Sequence, residues 1–199
     1  MELSDAIRRR RMVRSFDGRP LGAGLLDRLL DHATRAPSAG FTQGWAFVVL
    51  EGPEQTGRFW RHTMPPEERD GFQWPGLLRA PAVVLPLSSR QAYLDRYAEP
   101  DKAGAGLADE AAWPVPYWDV DCAFATMLLL LGATDEGLGA LFFGIFRGEA
   151  ELLADLGVPP AYRPIGAVAI GHPDGGDAPS ASLARGRRPT GDVVRRGGW

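Results

Sequence analysis

The sequence predicts a single domain of the α+β class, and three observations predict it. Segments with apolar residues at helical spacing alternate with short β-branched and aromatic runs. Many of the 25 glycines and 17 prolines fall between these segments and make the connections tight. A hydrophobic content of 45% over 199 residues is enough for one sizeable core.

In chain order, Ser4 is expected to cap a short first helix holding Ala6, Ile7 and several arginines. After a break at Gly18-Arg19-Pro20, residues Leu25, Leu26, Leu29, Leu30 and Ala33 mark a helix over 21–36. Pro37 ends it, because a residue before proline avoids the α region. The run 45–50, Trp-Ala-Phe-Val-Val-Leu, reads as a strand, 53–64 as a weak helix and 82–87 as a second strand. Between 64 and 117, Pro, Gly and Trp are frequent and periodicity is weak, so an irregular excursion with one short helix over 90–97 is expected. The segment 119–137 is apolar nearly all round, the mark of a helix buried in a core or at a subunit contact. A third strand is expected at 141–143, a helix at 149–157, a fourth strand at 164–172 and a last one at 193–194. From about 174 the chain is polar, basic and rich in glycine. Such a tail, if ordered, lies on another surface.

The formal net charge of −3 argues against a nucleic-acid partner or an anionic membrane. The run Met127 to Leu131 is too short to span a bilayer, and the acidic start Met1-Glu2-Leu3-Ser4-Asp5 is unlike a signal peptide. The single cysteine, Cys122, excludes an intrachain disulfide and fits a cytoplasmic protein, with a core position the expected role. His32, His62 and His172 are scattered, and no spacing suggests a metal site.

Three segments carry candidate chemistry. Arg10-Arg11-Met12-Val13-Arg14-Ser15-Phe16 follows the first helix; it reads as an anion site or, more simply, as a solvated basic face. Ala36-Pro37-Ser38-Ala39-Gly40-Phe41-Thr42-Gln43-Gly44-Trp45 joins a helix to a strand through small residues, which lets backbone N–H groups approach a ligand, or is a plain turn. Arg185-Gly186-Arg187-Arg188-Pro189 is a second basic cluster or a flexible tail.

Together these segments, with Gly137-Leu138-Gly139-Ala140 and Gly171-His172-Pro173, occur in the order of the nitroreductase family, which the chain resembles over nearly its whole length. The resemblance implies a mostly antiparallel central sheet flanked by helices in an intertwined homodimer. Two active sites would be shared between the subunits, each with one FMN. It places Arg10, Arg11, Met12 and Arg14 along the phosphate, ribityl and pyrimidine side of the flavin, and Arg185 and Arg187 on the phosphate. Pro37, Ser38, Ala39 and Gly40 would form the loop that approaches the flavin from the partner subunit, with the 119–137 helix at the contact and the tail crossing over. Gln73 would face the pyrimidine, and Phe142, Phe143 and Gly144 the N5 side. Guanidinium forks suit a phosphate dianion, and a cation near N1 stabilises reduced flavin.

The implied activity is hydride transfer from NADH or NADPH through flavin N5 to a nitroaromatic, a quinone or a similar small oxidant, in ping-pong order. No catalytic side chain is needed. No Gly-x-Gly-x-x-Gly follows a strand, so the nicotinamide would stack on the flavin without a Rossmann site. The sequence departs from the family at Met12 (serine in the family), Phe41 (asparagine) and Gly44 (proline). Alternatives are an FMN-dependent dehydrogenase of a biosynthetic metabolite and a flavin-sequestering protein of low turnover. Trp60, Phe72, Trp74, Tyr93, Tyr97, Trp113, Tyr117 and Trp118 read as local packing or as a lid that selects flat substrates.

Overall fold

The computed structural model describes residues 1–177 and 180–199. The helices are α1 (Leu3–Arg9), α2 (Leu25–Thr34), α3 (Gly52–Thr63), α4 (Arg90–Ala98), α5 (Tyr117–Asp135), α6 (Glu149–Asp155) and a single turn α7 (Thr190–Val193). The strands are β1 (Trp45–Glu51), β2 (Ala82–Ser88), β3 (Gly139–Phe143), β4 (Arg163–Pro164) and β5 (Ala167–Gly171). They form one sheet of order β1-β2-β5-β3, with β4 paired to the end of β2.

Every strand pair is antiparallel. Trp45 lies opposite Ser88, Ala82 opposite Ile170, and Gly139 opposite Gly171. An isolated parallel bridge from Met12 to Ala140 fastens the segment after α1 to edge strand β3. The two inner strands are buried along their whole length, which explains their nearly unbroken apolar sequence. Side chains alternate across the sheet. Val83, Leu85, Leu87, Ala167 and Ala169 face a cluster with Phe59 and Trp60 of α3. Ala82, Val84, Val168 and Ile170 face Leu29 of α2 and Leu129 and Ala133 of α5. Gly132 permits the α2–α5 contact, because a Cβ there would sit 3.0 Å from His32 and 3.1 Å from Leu29.

Several elements differ from the sequence expectation. Ser4 lies inside α1; the carbonyl of Glu2 accepts the Asp5 and Ala6 amides and starts the helix. Helix α2 starts at Leu25, after Gly24 takes a left-handed conformation at φ 70°. Strand β3 already begins at Gly139, whose lack of a side chain leaves room for Val13. The expected strand 164–172 is split into β4 and β5 at Gly166, where φ is 150° and a Cβ would meet the Phe142 ring and the Phe143 carbonyl. No strand forms at 193–194; the Val194 amide closes a helical turn on Thr190. The stretch 64–117 holds β2 and α4 between two irregular connections rich in 3₁₀ turns. No described helix is long and apolar enough to cross a membrane.

Candidate active site

Where the segment after α1 runs beside β3, it brings Arg14 against the connection that precedes β2. The Arg14 guanidinium stands 5.4 Å from the Trp74 ring centroid, and one of its nitrogens donates to the Met12 carbonyl at 3.2 Å. Arg14 has no carboxylate partner among the described residues.

Arg14 and Trp74 form the wall between two hollows. On one side lies a cavity of about 460 Å³, lined chiefly by Phe59, Trp60, Met64, Phe72, Leu77 and the run from Leu141 to Arg147. On the other is a more polar cleft of about 650 Å³, lined by Ser15, Gln73, Pro75, Gly76, Arg79, Gly176, Asp177, Ser180 and Ala181. Such volumes suit a cofactor or a small ligand.

The apolar cavity owes its shape to aromatic packing. Trp60 and Phe143 stack with ring centroids 6.0 Å apart, and Phe59 meets both edge-on. The Trp60 indole N–H is buried without an acceptor among the described residues. Phe146, 93% exposed, lies across Gly144, where a Cβ would be 2.7 Å from its ring. At the rim Arg147 pairs with Glu68.

The polar cleft is tied down by Asp174. This carboxylate accepts the Ser15 hydroxyl at 2.6 Å, an Arg79 nitrogen at 2.8 Å and the Gly176 amide at 2.7 Å. These contacts, the Ser15 hydroxyl first, hold its pKa below the usual carboxylate value. Arg79 also donates to the Phe16 carbonyl. Gly76 is required for close approach, since a Cβ would fall 2.0 Å from the Ser15 oxygen.

One chain therefore gathers Arg14, Gln73, Phe142, Phe143 and Gly144 from three separated stretches of sequence. The other expected residues lie elsewhere. Arg11 is exposed, and Met12 packs against both core clusters, so its side chain serves as core. Arg10 is half-buried, with one guanidinium nitrogen buried and unpartnered among the described residues, and lines neither hollow. Arg185 and Arg187 are exposed.

The loop of Pro37, Ser38, Ala39 and Gly40 leads into β1, the sheet edge opposite β3. Three strand spacings separate those edges, roughly 14 Å. This loop is mounted on α4 and α5. The Asp121 carboxylate, 3% exposed, accepts the Ala39 amide at 2.8 Å and the Tyr93 hydroxyl at 2.7 Å through the same oxygen. Arg96 donates to the Gly40 carbonyl at 3.1 Å and is held by Asp101. Burial, with the Asp121 carboxylate beside it, raises the Tyr93 phenol pKa. Sequence reasoning missed this clamp. Its one visible signal was an acidic residue, Asp121, inside a helix apolar nearly all round. Cys122 beside it is wholly buried, its thiol pushed up to about 12 by burial, which makes it a packing residue and a poor nucleophile.

Comparison with known proteins places this geometry. The pattern that defines the Nitroreductase family matches residues 7–172. The chain is 28% identical to the CLA biosynthesis enone reductase of Lactiplantibacillus plantarum, covering 85% of each chain. It is 25% identical to a protein assigned as an NADH dehydrogenase/NAD(P)H nitroreductase in Methanothermobacter thermautotrophicus, covering 87% of this chain and 78% of that one. Among solved structures it superposes with a TM-score of 0.73 on an assigned nitroreductase of Exiguobacterium sibiricum in complex with FMN, at 18% identity over 98% of this chain and 97% of that one. An antiparallel sheet between helices, the arginine segment fastened to its edge strand, and a match over most of the chain lead to one assignment: the chain belongs to the nitroreductase family.

Proposed function

We propose that the protein is an FMN-dependent oxidoreductase that takes reducing equivalents from NADH or NADPH and passes them to a small flat oxidant, such as a nitroaromatic or a quinone. The observation that carries this reading is Arg14, a cation with no described carboxylate partner, set between an aromatic cavity and a polar cleft. The residues present fit FMN. Arg14 offers charge to the pyrimidine or phosphate side, and the Gln73 amide, on the polar cleft, offers both a donor and an acceptor. The buried nitrogen of Arg10, without a partner among the described residues, is a further donor that an anion would satisfy. Phe142, Phe143 and Gly144 give a flat apolar wall with accessible backbone. FMN would supply two-electron transfer at N5, from the nicotinamide and then to the oxidant, in ping-pong order. Around it, Phe72, Trp74 and Phe143 keep water from one side, and Arg14 favours the negative charge that reduction brings.

The proposed working unit is a homodimer with two shared sites. Supporting this, α5 presents the half-exposed apolar side chains of Phe124 and Met127, 49% and 44% exposed, and Leu3 and Ile7 of neighbouring α1 are exposed as well. In this reading the Pro37–Gly40 loop and the arginines at 185 and 187 complete the site of the second copy. The stretch 64–81, which includes Phe72 and Trp74, acts as part of the lid.

The test is spectroscopic. The purified protein should carry flavin absorbance that bleaches with NADH or NADPH without oxygen and returns on adding menadione or a nitroarene. Flavin that never bleaches would instead favour sequestration or the dehydrogenase alternative. Failure to take up FMN at all would refute the proposal.

A further inference from the structure

The loop that follows Ser38 combines two features that disfavour each other. Gly40, Phe41 and Gln43 all have left-handed backbone, at φ 62°, 53° and 52°. Glycine adopts this readily; for a bulky aromatic it is strained. Phe41 is also 75% exposed, so packing among the described residues does little to offset the strain. The conformation is imposed by contacts around it. Ser38 takes the Phe41 amide on its carbonyl and the Gln43 amide on its hydroxyl, at 3.0 and 2.9 Å. The Thr42 hydroxyl donates to the Ala39 carbonyl at 2.6 Å. Asp121 and Arg96 fix Ala39 and Gly40 to the helices behind, and the Tyr97 ring fills the space where a Cβ on Gly40 would lie, 2.8 Å away. A backbone held this firmly against its own preference, to present an aromatic ring to the outside, marks a functional position.

We propose that Phe41 is a specificity-determining residue, held up by the clamp on this loop so that its ring forms one aromatic wall of the site shared with the second copy and selects flat aromatic oxidants. The proposal rests on the shared-site reading above. Two further observations support it. Asp121 lies one helical turn from Phe124, so the clamp and the apolar face assigned to the subunit contact are carried by the same helix. The opposing cavity is itself lined by Phe72, Trp74, Phe142, Phe143 and Phe146, which leaves a flat ring stacking partners and few polar ones.

The experiment uses FMN-loaded protein with Phe41, and the variants Phe41→Asn, Phe41→Leu and Phe41→Tyr. Each is titrated with 2-naphthol, a flat aromatic that accepts no electrons here, followed by the flavin difference spectrum, and thermal midpoints are recorded alongside. Phe41→Asn and Phe41→Leu bind naphthol about three- to tenfold more weakly, the size of one aromatic contact. Phe41→Tyr binds as the parent does. Phe41→Asn melts at or above the parent, because asparagine tolerates left-handed backbone. Equal affinity across the set would overturn the proposal, as would a lower melting temperature for Phe41→Asn, which would make the ring a structural element. A parent protein that takes up no FMN, or stays monomeric with it, defeats the shared-site reading and the proposal together, before any variant is compared.

Discussion

Replacing Asp121 by alanine tests the clamp directly. The lost oxygen serves two donors, the Tyr93 hydroxyl at 2.7 Å and the Ala39 amide at 2.8 Å, in a site where Tyr93 is wholly buried. Each buried donor left without an acceptor costs about 1–3 kcal/mol, so Asp121→Ala should destabilise by about 2–5 kcal/mol. For a chain of this length that is a fall in melting temperature of roughly 5–15 °C. Tyr93→Phe alone removes one donor and leaves the carboxylate its bond to Ala39, costing about 1–2 kcal/mol. In the double variant the orphaned hydroxyl is gone, so Tyr93→Phe should be neutral or stabilising there. The cycle should therefore give a coupling of about 1–3 kcal/mol. The assay is thermal and urea unfolding followed by circular dichroism, at fixed protein concentration and saturating FMN because binding shifts apparent stability. Additive effects within about 0.5 kcal/mol, or an Asp121→Ala protein as stable as the parent, would refute the reasoning.

Two further perturbations follow from the geometry. Gly148→Ala puts a Cβ 2.1 Å from the His62 carbonyl oxygen at φ 61° and should cost about 3 kcal/mol or more by forcing α6 from α3, whereas Gly157→Ala, at φ 67° with open space around it, should cost only about 1–2 kcal/mol; thermal melts giving equal losses would contradict this. Asp174 has its pKa lowered from 3.8, so its stabilisation is complete above that value and disappears as pH falls through the lower folded-state value. Asp174→Asn should thus flatten the dependence of melting temperature on pH below about 4, and an unchanged slope would remove the carboxylate from the acid response.

Much of the fold was legible in the chain because periodicity and turn chemistry are local. Apolar spacing located α2 and α5, β-branched runs located β1 and β2, and Pro37 marked the end of α2. Where local signals failed, a longer-range contact had prevailed. Gly166 divides β4 from β5 because Phe142 and Phe143 occupy the space a side chain would need. Val193 and Val194 favour strand, yet no described strand pairs with them, and a helical turn forms.

By itself the sequence determined the α+β class, the order of the elements and the family, since these rest on patterns carried along the chain. It also named Arg14, Gln73 and Phe142–Gly144, residues that the resemblance ties to one cofactor. Only the tertiary structure decided that these five meet at the β3 edge while the Ser38–Gly40 loop stands at the β1 edge, because the antiparallel order of strands fixes distances that spacing in sequence does not contain. It decided too that Met12 belongs to the core and that Asp121, a buried charge in a largely apolar helix, holds the strained loop bearing Phe41. A buried carboxylate is stable only where donors converge on it, and those donors come from a loop and a helix 82 and 28 residues away in sequence.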